Sequence, residues 1–154
     1  MKTDSTNCNV LDKEIDLIQS CISRMSHNSF MIKGWLITLV AVVLALLPER
    51  FDLSGLCFVG FVITTCFWYL DAFFLKTETL YRWKYEWVIK NRLTSQEYFY
   101  DLNPYNSKMW LLTNESIKKK EPTIIKLMCS KTLFPMYGII IICILIFYLN
   151  SLKC

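Results

Sequence analysis

Three long apolar runs constrain this chain more than anything else in it. The first is Phe30 to Pro48, FMIKGWLITLVAVVLALLP, and the second is Leu53 to Leu75, LSGLCFVGFVITTCFWYLDAFFL. The third is Leu133 to Leu149, LFPMYGIIIICILIFYL, almost free of polar atoms. A helix needs roughly 20 apolar residues to cross a hydrocarbon core of about 30 Å. Within that core every backbone N–H and C=O must find its partner inside the segment, which an α-helix provides. The runs therefore predict an all-α integral membrane protein with three transmembrane helices, at 30–48, 53–75 and 133–152. A signal peptide fits the first run poorly. The run starts only at Phe30, follows a charged amphipathic stretch and lacks a small-residue cleavage site.

The placement of lysine and arginine gives an orientation. Lys76, Arg82, Lys84, Lys90, Arg92, Lys108, Lys118, Lys119, Lys120, Lys126 and Lys131 all fall between the second and third runs. The hairpin loop Pro48-Glu-Arg-Phe-Asp52 carries only Arg50, and the C-terminal tail only Lys153. The positive-inside rule then puts the N-terminus and segment 76–132 in the cytoplasm, and the hairpin tip and Cys154 outside. Reflection about the short loop places Lys33 opposite Asp71 and Arg24 opposite Glu78. Charges at such depth are tolerated when paired or able to reach the interface. The Lys33–Asp71 pair reads first as packing between helices and second as a gate latch.

The cytoplasmic parts read as helical extensions. Leu11, Ile15, Ile18, Ile22 and Met25 form a heptad stripe that Ile32, Leu36, Leu39 and Val43 continue into the first span if Ser29 takes the intervening position. Residues 1–29 are thus an amphipathic helix continuous with that span, one helix over about 10–47. Its stripe must bury against the central segment or a neighbouring subunit. The second helix continues past Leu75 as KTETLYRWKYEWVIKNRL for roughly four or five turns, with Leu80, Trp83 and Trp87 on one face. Thr94-Ser-Gln-Glu97 has the pattern of a capping box and predicts a new short helix. Asn103-Pro104-Tyr105-Asn106 is a turn, and Lys108 to Thr113 is ambiguous between helix and strand. Glu121-Pro122 opens a final amphipathic helix running into the third span, with Pro135 as a possible kink.

Composition narrows the chemistry. In 154 residues only 4 are glycine and 4 proline, which disfavours linkers and Gly-rich phosphate loops. The net charge of +4 does not suggest nucleic-acid binding by the chain as a whole. The seven cysteines show no C-x-x-C spacing, and His27 is the single histidine, so no zinc site is expected. No cofactor is implied, and no Walker loop, nucleophile elbow or H-E-x-x-H motif is present, so an enzyme is not expected. His27 reads as a pH-sensitive contact or as helix packing.

Two candidate regions remain. The basic, aromatic surface of Arg82, Lys84, Trp87, Lys90 and Arg92, with Lys118, Lys119 and Lys120, suits a stacked nucleotide or a partner protein. Its aromatics, including Trp110, read first as the core of a small cytoplasmic layer, and the run Lys118 to Lys120 as a solvated, lipid-attracted patch. Polar atoms inside the spans are few, and Thr38, Thr64 and Thr65, with Lys33 and Asp71, are the candidates for a pore or gate. Three spans enclose little alone, so a conduit requires a homo-oligomer in the lipid bilayer.

The stretch Ile18-Gln-Ser-Cys-Ile-Ser-Arg-Met-Ser-His-Asn-Ser-Phe30 with Lys33-Gly-Trp35, and Phe67-Trp68-Tyr69-Leu70-Asp71 with Glu78, Leu80, Arg82 and Tyr85, resembles a family of small bacterial inner-membrane proteins. These sit in anti-phage defence operons beside nucleotide-signal-producing or TIR-type partners. Over roughly the first 90 residues the layout is also similar to the SLATT class, a membrane hairpin joined to cytoplasmic helices. The resemblance implies an inner-membrane effector, silent until a nucleotide or partner signal arrives, that then permeabilises the membrane and arrests the infected cell. The alternative is a non-conducting anchor that recruits and restrains a cytoplasmic partner.

Overall fold

A computed structural model of the chain describes residues 2–46, 53–92, 94–95, 97–106 and 121–151. Its elements are helices α1 (Lys2–Leu46), α2 (Leu53–Asn91), α3 (Ile124–Met128) and α4 (Leu133–Ser151), with no strand among the described residues. Two of these helices are long and apolar enough to cross a membrane by length and composition, within Ser54–Asn91 and Leu133–Asn150. The apolar half of α1, expected as the first of three spans, does not join them within the described residues. The hairpin loop, the ambiguous stretch 108–113, Trp110 and Lys118 to Lys120 lie outside the described residues.

The chain divides into two compact units, one of residues 1–27 and 75–122, the other of residues 28–74 and 123–154. In the first, the heptad stripe of α1 meets the C-terminal part of α2. Ile18, Trp87 and Val88 form the buried cluster, and Leu11, Ile15, Ile22, Tyr81, Tyr85, Tyr98 and Leu102 pack around it. The stripe is thereby taken up by the central segment of its own chain. Full burial of a side chain such as Ile18 contributes about 1.5–3 kcal/mol, so these contacts fix α1 against α2 in register.

Helix α2 ends at Asn91, where Thr94 and Ser95 both donate backbone N–H groups to the Asn91 carbonyl, at 3.1 and 2.9 Å. The short helix expected from Thr94-Ser-Gln-Glu97 does not form. Ser95 Oγ accepts instead from the Glu97 N–H at 3.2 Å, and Tyr98 and Tyr100 adopt φ of 55° and 52°. Left-handed backbone at two nearby positions cannot continue a right-handed helix. The expected turn at Asn103 is present, with Asn103 Oδ1 accepting from the Tyr105 N–H at 3.0 Å.

In the second unit, the single amphipathic helix expected from Pro122 into the third run is interrupted. Helix α3 closes at Cys129, and Ser130 Oγ then accepts from the Leu133 N–H at 3.3 Å to start α4. Pro135 lies in the first turn of α4, where its missing N–H leaves no bond unmade. Among its described residues, the unit exposes large apolar side chains and buries two polar ones among Ile32, Leu36, Ala72, Leu133 and Tyr137. Phe30, Trp35, Phe58 and Ile139 are more than half exposed, whereas Asp71 and Thr64 are buried.

Candidate functional site

The second unit brings three helices to one carboxylate. Asp71 on α2 is wholly buried. Lys33 and Ser29 sit one helical turn apart on α1 and so face the same way. Lys33 Nζ lies 2.7 Å from Asp71 Oδ2 and donates to Oδ1 at 2.9 Å. Ser29 Oγ donates to Asp71 Oδ1 while accepting from Lys33 Nζ at 2.7 Å. Tyr137 on α4, itself buried, donates its hydroxyl to Asp71 Oδ2 at 3.0 Å. Its ring stacks on Trp68 with centroids 5.8 Å apart and planes 5° from parallel. Trp68 Nε1 in turn donates to the Met128 carbonyl of α3 at 3.1 Å. The charge and hydrogen-bonding capacity of the Asp71 carboxylate are thus met from α1 and α4 together, which a buried charge requires.

The hairpin reflection therefore finds the Lys33–Asp71 pair but misses Ser29 and Tyr137. Ser29 was legible only as a gap in the heptad stripe, and nothing in the sequence fixes how α4 is set against α2. The reflected pair Arg24–Glu78 is replaced by local contacts. Glu78 accepts from Arg82 one turn along the same helix at 2.8 Å, and Arg24 donates to Cys21 Sγ at 3.4 Å. Contacts one turn apart on a single helix form without depending on how a second helix is set beside it, which favours them over a cross-helix bridge.

The threonines proposed for a conduit spend their hydroxyls within their own helices. Thr38, Thr64 and Thr65 donate to the carbonyls of Gly34, Gly60 and Phe61 at 3.0, 2.8 and 2.9 Å. Thr64 borders an apolar cavity of about 90 Å³ among Leu36, Val40, Ile63 and Ile144, while Thr38 lies exposed.

The expected basic surface of the first unit is split. Arg82 and Lys90 are exposed, but Lys84, Trp87 and Arg92 are buried. Arg92 meets Glu14 of α1 through two bonds, Nε to Oε2 at 2.6 Å and Nη2 to Oε1 at 2.5 Å. Its remaining N–H groups reach the carbonyls of Glu97 at 2.7 Å and Tyr98 at 3.2 Å, and it lies over the rings of Trp87 and Phe99. Lys84 donates to the Asn103 carbonyl at 3.1 Å and lies 3.6 Å from Asp101. These cations hold the 92–106 loop to the helices, so they cannot also lie open to a ligand. Among the described residues no cluster of metal-ligating side chains occurs.

Burial holds the Lys84 ammonium below the ordinary lysine range, and Asp101 only partly offsets it. For Asp101, burial acts upward but is outweighed by bonds from Asn106 and the Asn103 N–H and by Lys84, so its carboxyl sits below the usual range. A carboxylate lowered on folding stabilises the fold above its unfolded pKa of about 3.9, and that share is lost as pH falls through the folded value. Acid titration followed by circular dichroism should show this loss below about pH 4. In Asp101→Asn the loss should shrink by no more than about 1 kcal/mol, because the group is partly exposed. No family model, curated protein or solved structure matches the chain.

Proposed function

We propose that this protein is an oligomeric effector of the bacterial inner membrane, with three spanning helices, a cytoplasmic N-terminus and a periplasmic C-terminus. Its resting state is closed by the Lys33–Asp71–Tyr137 latch. A cytoplasmic signal, a nucleotide or a nucleotide-signal-producing or TIR-type partner, releases it and the membrane is permeabilised, in keeping with a role in anti-phage defence. The observation that carries the reading is the wholly buried Asp71, bonded from α1 and α4 inside a unit whose outer surface is apolar. An ionisable residue within an apolar helical unit is expensive to place and is, by default, functional. With Lys84 and Arg92 engaged inside their unit, the signal is left to Arg82 and Lys90, with Lys118 to Lys120. It acts only if it binds the open and closed states with different free energies.

The intrahelical bonds of Thr38, Thr64 and Thr65 favour a second reading, a non-conducting anchor for a cytoplasmic partner. Ion flux separates the two. Purified protein in liposomes loaded with a potential-sensitive dye should be quiet as wild type and leak as Tyr137→Phe, which removes the one bond from α4 to Asp71. An effector needs at least one conducting state. Silence of both proteins at confirmed insertion would leave the anchor as the better account.

A further inference from the structure

We infer that the outward face of α1 around Leu17 is the surface through which two copies of this chain associate. Lys13, Asp16 and Leu17 of α1 and Tyr100 of the 92–106 loop line one open groove of about 360 Å³. Leu17 is 43% exposed and Tyr100 38% exposed, although both are large and apolar. Tyr100 is held beside Phe99, itself 49% exposed, with ring centroids 4.5 Å apart. The left-handed backbone at Tyr98 and Tyr100 fixes that aromatic pair on the surface. Strained positions of this kind persist only where the surrounding structure determines them, and they concentrate at binding sites.

The heptad stripe cannot serve as this contact, because Ile18, Ile15 and Ile22 already pack against α2. The groove lies on the face that remains. Its charges are self-complementary, one cation and one anion three residues apart on the rim of an apolar floor. A two-fold contact brings the same surface of both copies together, so residue i meets j and j meets i. Lys13 of each copy then meets Asp16 of the other twice over, while Leu17 and Tyr100 cover each other. Copies in one bilayer share one orientation, which aligns their α1 helices and leaves a two-fold axis along the membrane normal. This last step rests on the proposed membrane reading.

The test uses full-length chain in lipid vesicles, with donor- and acceptor-labelled copies and energy transfer as the readout. Wild type should associate. Lys13→Glu and Asp16→Lys, each alone, place like charges opposite one another at two points and should weaken association by about tenfold. Mixing Lys13→Glu copies with Asp16→Lys copies restores both opposite-charge pairs and should recover association to within about twofold of wild type. Leu17→Glu should weaken association and should not be rescued by either charge variant. All these residues are exposed, so the fold tolerates the changes. Single variants that associate as wild type does, or a mixture that fails to recover, would overturn the interface. Wild type that resists alkaline extraction yet gives no transfer would also overturn the interface and leave the membrane reading standing. Release by alkaline carbonate would sink the membrane reading itself.

Discussion

Asp71→Ala is expected to destabilise the second unit by about 3 kcal/mol and, on the proposed function, to open the membrane without any signal. The magnitude follows from what is left behind. Removing the carboxylate strands the Lys33 ammonium and leaves the Ser29 and Tyr137 hydroxyls without their acceptor. Breaking one side of a buried ion pair costs about 3–5 kcal/mol, because the other charge stays desolvated. The low end applies here, since the Lys33 side chain is 28% exposed and part of the ammonium can reach a polar surface. Asp71→Asn keeps hydrogen-bonding capacity but loses the charge, so it should fall between wild type and alanine. The pair Lys33→Met with Asp71→Leu removes both charges but still strands the Tyr137 and Ser29 hydroxyls, so it should recover only part of the loss. Adding Tyr137→Phe and Ser29→Ala should bring stability to within about 1 kcal/mol of wild type. Thermal unfolding in detergent, followed by circular dichroism, measures the stabilities. Dye flux in liposomes then asks whether leak follows stability. A leaky but stable Asp71→Asn would mark the charge itself as the latch, whereas leak seen only in unstable variants would reduce the cluster to packing.

The same cluster shows how far the sequence reaches. Lys33 and Asp71 were legible because a short loop between two apolar runs sets the register of a hairpin, and opposite charges then fall at equal depth. Arg24 and Glu78 obey the same arithmetic and do not pair, since Arg82 stands one turn from Glu78 and offers a contact that orders nothing else. Tyr137 was out of reach because the long connection from α2 to α4 imposes no register. In the first unit, the length of α2 and the need of the heptad stripe for a partner follow from periodicity, whereas the choice of α2 over a neighbouring subunit does not. The burial of Lys84 and Arg92 does not, because lysine and arginine are among the residues least often buried. Their cage is made of carbonyls at Glu97, Tyr98 and Asn103, turned inward where Tyr98 and Tyr100 take left-handed backbone. Glycine or asparagine would have announced such a bend, and tyrosine does not. What reads in sequence as a basic surface is for that reason partly an interior.

The strongest single tie in the first unit should be Glu14 with Arg92. Glu14→Ala is expected to destabilise that unit by about 3–5 kcal/mol, because it leaves a buried guanidinium without a counter-charge. The bidentate geometry, with both carboxylate oxygens taken at 2.6 and 2.5 Å, is the arrangement in which such a bond is strongest. Arg92→Ala removes more than charge. It also releases the carbonyls of Glu97 and Tyr98 and uncovers the faces of Trp87 and Phe99. The loop carrying Tyr98 and Tyr100 should then lose its hold, since the strain at those two positions is no longer offset by contacts to the guanidinium. Arg92→Lys should fare nearly as badly, because an ammonium is a point charge and cannot span two carboxylate oxygens and two carbonyls in one plane. Hydrogen exchange distinguishes these effects by place. In Glu14→Ala protection should fall in α1 around Ile18 and at the end of α2, where the two helices meet. In Arg92→Lys it should fall first at residues 95–98. Equal loss everywhere in the unit would mean that the pair holds no separate element, and that the Ile18–Trp87–Val88 cluster alone sets its stability.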